Sequence, residues 1–173
     1  MAMSDDARKK LLSLIEFGIV AVVLLVLVLL VVPSLMRTIK ERRASEATEN
    51  VRVLFNLASA YYEKAVEENG GENYDVRFPE SMDAPHPVDV GKKAQSTSDW
   101  HMVPAFRDLG FEVLEPHFYQ YQFTSEGEGD GARFVISAFG DLDGDGQKSR
   151  FQMEGYIENG EVRGNSIVVD RLE

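Results

Sequence analysis

From Phe17 to Val32 the chain reads FGIVAVVLLVLVLLVV, sixteen residues without a charge or a hydrogen-bonding side chain. A helix that is apolar on every side has no polar face to turn to water, so lipid or other apolar helices must cover it. With Leu14 and Ile15 ahead of it, and Leu35 and Met36 beyond Pro33, the stretch reaches the roughly 20 residues that a bilayer core demands. A cleaved secretory signal shares the basic start and apolar centre, but no small-x-small cleavage site follows this run. The segment is therefore expected to remain as a membrane anchor. Basic residues stand on both flanks, Arg8, Lys9 and Lys10 before it and Arg37, Lys40, Arg42 and Arg43 after it. The long acidic stretch downstream translocates largely regardless of such flanking charge, and it is expected outside the cytoplasm.

The whole chain of 173 residues carries a formal charge of −11. That balance argues against a nucleic-acid partner, because phosphate contacts need clustered Lys and Arg. There are no cysteines, which excludes disulfide staples, thiolate metal sites and a thiol nucleophile. The three histidines, His86, His101 and His117, form no short-spaced ligand pair. Neither a nucleophile elbow, a phosphate loop nor a zinc signature is present. An enzyme is not the expected class.

Glu16 sits at the edge of the apolar run, behind Leu11, Leu12, Leu14 and Ile15. An ionised carboxylate entering hydrocarbon is costly, and such residues commonly mark a function and a cationic partner. The plainer reading puts Glu16 at headgroup level near Lys9 and Lys10, with no role. Here the residues resemble the type IV pilin family, including the pseudopilins of type II secretion. Leu12-Ser13-Leu14-Ile15-Glu16 matches the family's opening motif, Pro33 falls at the family's spacing from that glutamate, and a charged amphipathic continuation follows from Arg37 to Glu68. The resemblance covers about the first third of the chain.

What the resemblance implies is a bacterial inner-membrane protein with its globular domain in the periplasm. It would serve as a major or minor structural subunit of a type IV pilus or a secretion pseudopilus. Its partners would be other copies of itself in a helical filament, an assembly platform and a prepilin peptidase. Glu16 would pair with the terminal ammonium of a neighbouring subunit, and Pro33 would kink or locally melt the helix. The family's peptidase cuts after a glycine and before a residue that is usually phenylalanine. This chain has Leu11 and Leu12 at those positions. Without that cut, the alternative is an unprocessed, membrane-anchored, calcium-dependent binding module of the cell envelope.

Further along, Val51, Leu54, Phe55, Ala58, Tyr62 and Ala65 recur at spacings of three and four, one apolar stripe of a helix. Asn69-Gly70-Gly71 is its expected stop. Pro79, Pro85, Pro87, Gly91, Pro104 and Pro116 then punctuate a turn-rich connection, with Trp100 and Phe106 as its expected anchors and a short helix over 103–109. Beyond Pro116 the pattern turns to period two, predicting strands over 118–124, 133–139, 150–157 and 161–169. Asn159-Gly160 predicts a type I′ hairpin turn. The expected fold class is α+β: a long N-terminal helix, membrane-spanning and then amphipathic, packed on a four-stranded antiparallel sheet. The expected organisation is a basic leader-like segment 1–11, an anchoring and assembly helix 12–36, an amphipathic helix 37–69, a connection 70–116 and the sheet 117–173.

Between the second and third predicted strands lies Asp141-Leu142-Asp143-Gly144-Asp145-Gly146-Gln147. Carboxylates at alternate positions followed by glycine match the opening of a calcium loop. In that frame Asp141, Asp143, Asp145, Gln147 and Ser149 are the candidate ligands of Ca²⁺, Gln152 stands where a bidentate Glu belongs, and Glu154 is a substitute for it. A solvated Asp/Gly turn is the competing reading.

Overall fold

A computed structural model describes the backbone of residues 5–83, 98–142, 146–165 and 167–170, and the side chains of 14–32, 44–83, 100–142, 146–165 and 167. The chain divides into two compact units, Met1–Glu41 and Arg42–Glu173. Helix α1 runs from Asp5 to Glu68 and so contributes to both. No melted turn interrupts α1 at Pro33, although proline removes one backbone donor from the ladder. Its end is where the glycines predict it. The Gly71 N–H donates to the Val66 carbonyl at 2.9 Å and the Gly70 N–H to that of Glu67 at 3.1 Å. Gly70, at φ 74°, takes the left-handed conformation this Schellman cap requires.

Within the second unit, Ala44, Ala47, Val51, Leu54, Ala58 and Tyr62 form the buried line of α1. Three alanines on that line let the sheet approach closely. Val51 and Leu54 each contribute about 1.5–3 kcal/mol by leaving water. Opposite them lies an antiparallel sheet of six strands: β1 (Met82–Asp83), β2 (Gln120–Glu126), β3 (Arg133–Gly140), β4 (Ser149–Glu158), β5 (Glu161–Gly164) and β6 (Val168–Asp170). The order is β1-β2-β3-β4-β5, with β6 also paired to β4. Tyr121 and Phe123 of β2, Phe134, Ile136 and Ala138 of β3, and Phe151 and Ile157 of β4 face the core at alternate positions. The architecture is α+β.

The strand count differs from the four expected. Glu161 to Val169 is not one strand but two, β5 and β6, because the ladder slips between them. Gly155 pairs with Gly164 and Gln152 with Val168, so the last segment carries one residue more than the β4 stretch it passes. Within this bulge the Asn165 N–H donates to the Glu154 carbonyl at 3.0 Å. At the opposite edge, Met82 and Asp83 add a strand too short to announce itself by alternation. Beside it, Ser81 Oγ accepts the Ser125 N–H at 2.9 Å and the Ser125 hydroxyl donates to the Pro79 carbonyl, which closes much of the free edge of β2.

The glycines of the paired positions Gly155 and Gly164 are spatial requirements. A Cβ on Gly155 would lie 2.2 Å from the Phe134 ring, and one on Gly164 would lie 2.5 Å from the Phe55 ring. The two rings stand 5.6 Å apart, so one phenylalanine from the sheet and one from α1 fill the floor the glycines leave open. Short helix α2 (Pro104–Leu109) repeats the cap of α1. The Phe111 N–H donates to the Phe106 carbonyl at 2.8 Å, Gly110 has φ 71°, and the two phenyl rings meet at 5.7 Å. Trp100 stands edge-on to both rings, at 5.3 and 5.4 Å, and the anchoring predicted for Trp100 and Phe106 is seen.

Candidate functional site

Two places gather the residues that the sequence singles out. The first is the N-terminal part of α1. Leu14–Val32 is one helix long and apolar enough to cross a membrane, with mean hydropathy 3.2 and none of the window buried inside the protein. Every described side chain from Leu14 to Val32 is exposed, including Glu16 near the start of the span. A helix apolar on every side has no polar face to turn to water. Leu11, Leu12 and Pro33 lie on the same helix, and their side chains are outside the described residues. Glu16 stands four residues after Leu12, about one helical turn along α1.

The second place is the connection between β3 and β4. Asp141 is buried at 4 % exposure, and its Oδ2 accepts the N–H of Gly146 at 2.9 Å. Gly146 has φ 85°, which a residue with a side chain rarely adopts, and this turns the loop back on its first carboxylate. Asp143 and Asp145 lie outside the described residues. Gln147 is exposed. Ser149 is buried, opens β4 opposite Gly140, and donates its hydroxyl to the Gly140 carbonyl at 3.0 Å. Glu154 is removed as the closing ligand. It stands five residues up β4 from Ser149, roughly 17 Å along the strand, where it faces Val135 and accepts the Gln152 amide at 3.3 Å. Gln152 is likewise inside the ladder, opposite Ser137. Among the described residues no three His, Asp or Glu side chains converge as a metal-binding group. Of the candidate ligands, the structure describes Asp141 at the head of the loop, Gln147 and Ser149.

One polar cluster was not anticipated. Glu46, a half-buried residue of α1, accepts the backbone N–H of Phe118 at 2.8 Å, just before β2 begins. One turn on, the Asn50 amide donates to the buried Tyr121 hydroxyl at 2.6 Å. Burial pushes the Tyr121 phenol well above its ordinary value; the Asn50 bond opposes this and the Glu46 carboxylate adds to it. Tyr62, raised mainly by burial, donates its hydroxyl to the Gly129 carbonyl at 2.9 Å. These contacts pin α1 to β2 and to the segments on either side of it. Their only signal in the sequence is polar residues at the margin of an apolar stripe.

On the outer face of the sheet, a groove of about 580 Å³ is bordered by Thr124, Glu126, Arg133, Val135, Glu154 and Tyr156. Its guanidinium is paired with the Glu126 carboxylate. Comparison of the chain with family models, with curated proteins and with solved structures finds no match in any of the three.

Proposed function

We propose that this chain is a membrane-anchored, self-assembling subunit of the pilin or pseudopilin kind, lodged in the inner membrane with its α+β domain on the periplasmic side. The observation that carries the reading is the exposed span Leu14–Val32 with a single carboxylate, Glu16, near its head. In lipid that carboxylate lacks a counter-charge, and an ammonium from another copy supplies one. Breaking such a buried pair typically costs about 3–5 kcal/mol, enough to set the axial register between copies. The aliphatic surface exchanges lipid for neighbouring helices at little net gain, so an assembly platform provides the work of extraction. Leu11-Leu12 is the processing site in this reading. Mass spectrometry of the mature N-terminus tests it: a chain beginning at methylated Leu12 is expected, and a chain retaining Met1 overturns processing. Glu16→Ala is expected to insert into the membrane normally but to be lost from filaments; undiminished incorporation removes the mechanism.

The Asp141–Gly146 closure favours a second reading, an unprocessed membrane-tethered module that binds Ca²⁺. The side chains that would hold the ion are Asp141, Asp143, Asp145, Gln147 and Ser149, and a bound divalent cation would neutralise carboxylates that otherwise repel one another. Affinity in the range of extracellular modules, about 10⁻⁴–10⁻³ M, is expected for so open a donor set. Chelation followed by a melting scan decides it: the midpoint falls if the loop holds calcium, and an unchanged midpoint discards the metal.

A further inference from the structure

The geometry points to Asn159 as a site of spontaneous backbone-assisted deamidation, a modification to which the otherwise identical Asn-Gly step at Asn69 is closed. Both steps place an asparagine before a residue without a side chain, so sequence alone ranks them equal. The structure separates them. The Asn69 amide nitrogen donates to the Glu72 carbonyl at 2.9 Å and to Asp75 Oδ1 at 2.8 Å, and the attacking group, the Gly70 N–H, donates to the Glu67 carbonyl at 3.1 Å. Electrophile and nucleophile are both tied into the helix cap.

At the β4–β5 hairpin neither restraint applies. Asn159 and Gly160 are exposed, and among the described residues neither the Asn159 amide nor the Gly160 N–H makes a hydrogen bond. With φ 55° and 79°, the pair forms the I′ turn that joins Glu158 to its partner Glu161. Hydroxide removes the Gly160 amide proton, and the nitrogen attacks the side-chain carbonyl carbon of Asn159. A new C–N bond closes a five-membered succinimide, while the carboxamide C–N bond breaks and leaves as ammonia. Water then adds to either ring carbonyl and opens the ring to an aspartyl or an isoaspartyl linkage. The net change is amide plus water to acid plus ammonia, with no other reactant.

Either product changes the hairpin. The aspartyl form adds a carboxylate between Glu158 and Glu161, which already share the Arg163 guanidinium. The isoaspartyl form inserts a methylene into the backbone, which a two-residue turn cannot absorb, so the pairing of β5 with β4 loosens. The tip thereby records the age of the folded molecule.

The test is peptide mapping of the full-length, folded protein in detergent micelles, sampled over time in mildly alkaline buffer. The Asn159 peptide is expected to convert with a rate that rises with pH and to resolve into two isomeric acids. The Asn69 peptide is expected to lag by roughly tenfold or more, because its three hydrogen bonds must first open. In denaturant the two rates converge. Equal rates in the folded protein, a faster Asn69, or an intact Asn159 under conditions where the denatured chain reacts would each overturn the assignment. Asn159→Gly, which keeps a residue at ease with positive φ, should abolish conversion in that peptide while keeping the melting midpoint.

Discussion

The two halves of α1 are built from the same backbone geometry and treat their side chains in opposite ways. Across residues 14–32 every side chain is exposed and nearly every one is aliphatic, whereas across residues 44–62 a line of six is buried and, apart from Val53 and Ala60, the rest are polar or half-covered. A helix with a stripe chooses a side and is satisfied by its own sheet; one without a stripe has no side to choose and depends on a medium or on copies of itself. Among the described residues, α1 therefore buries side chains in its second half and not across 14–32.

The sharpest way to break this contrast is a matched pair of truncations. Leu54→Ala, in the buried line, should destabilise the domain by about 2–5 kcal/mol, while Leu25→Ala in the span should leave its melting midpoint unchanged. Trp100, the single tryptophan and a buried one, reports this domain specifically by fluorescence. Equal effects of the two changes would contradict the division of labour.

A second pair uses glycine. Gly155→Ala forces a methyl into the Phe134 ring and should cost about 1–3 kcal/mol by overpacking. Gly18→Ala meets nothing within 4 Å and should raise helicity of the span, by about 0.5–1 kcal/mol in propensity, with no loss in the domain melt.

A smaller effect concerns pH. The buried Tyr121 phenol keeps its proton in the folded chain, so above the ordinary value of 10.0 the unfolded chain releases a proton that the folded one retains. Stability is therefore full below that pH and falls as pH rises beyond it. Tyr121→Phe should flatten the alkaline decline, leaving a residue due to Tyr62, and at neutral pH should cost about 1 kcal/mol for the stranded Asn50 amide. A chemical-denaturation series across alkaline pH checks both. The smallest effect belongs to the surface of α1. Lys64 and Glu68 meet at 3.6 Å with both side chains largely exposed. Lys64→Met should change stability by no more than about 0.3–0.5 kcal/mol.

Much of the frame was legible because it rests on periodicity. The stripe from Val51 to Tyr62, the glycine stop after Glu68, the hairpin at Asn159-Gly160 and the strands on either side of the acidic loop all follow from local residue choice. What escaped was set by partners distant in sequence. The start of β2 slips to Gln120 because the Phe118 N–H goes to Glu46 instead of a strand, and nothing local marks that bond. Gly164 hinted at an interruption of the last strand, since glycine inside a strand often marks a bulge or a close approach, and here it marks both. At the acidic loop, the sequence shows which oxygens are available, and the structure shows Glu154 to be out of reach.

The floor made by Gly155 and Gly164 has a consequence for how this protein can vary. Phe55, Phe134 and the two glycines share one fixed volume, so the four positions are expected to exchange bulk as a set. A larger residue at either glycine calls for a smaller ring above it, and a smaller ring leaves a hole unless a strand residue grows. Comparing kindred chains should reveal this quartet drifting in concert while the aliphatic span, free of such bargaining, substitutes one branched side chain for another almost at will.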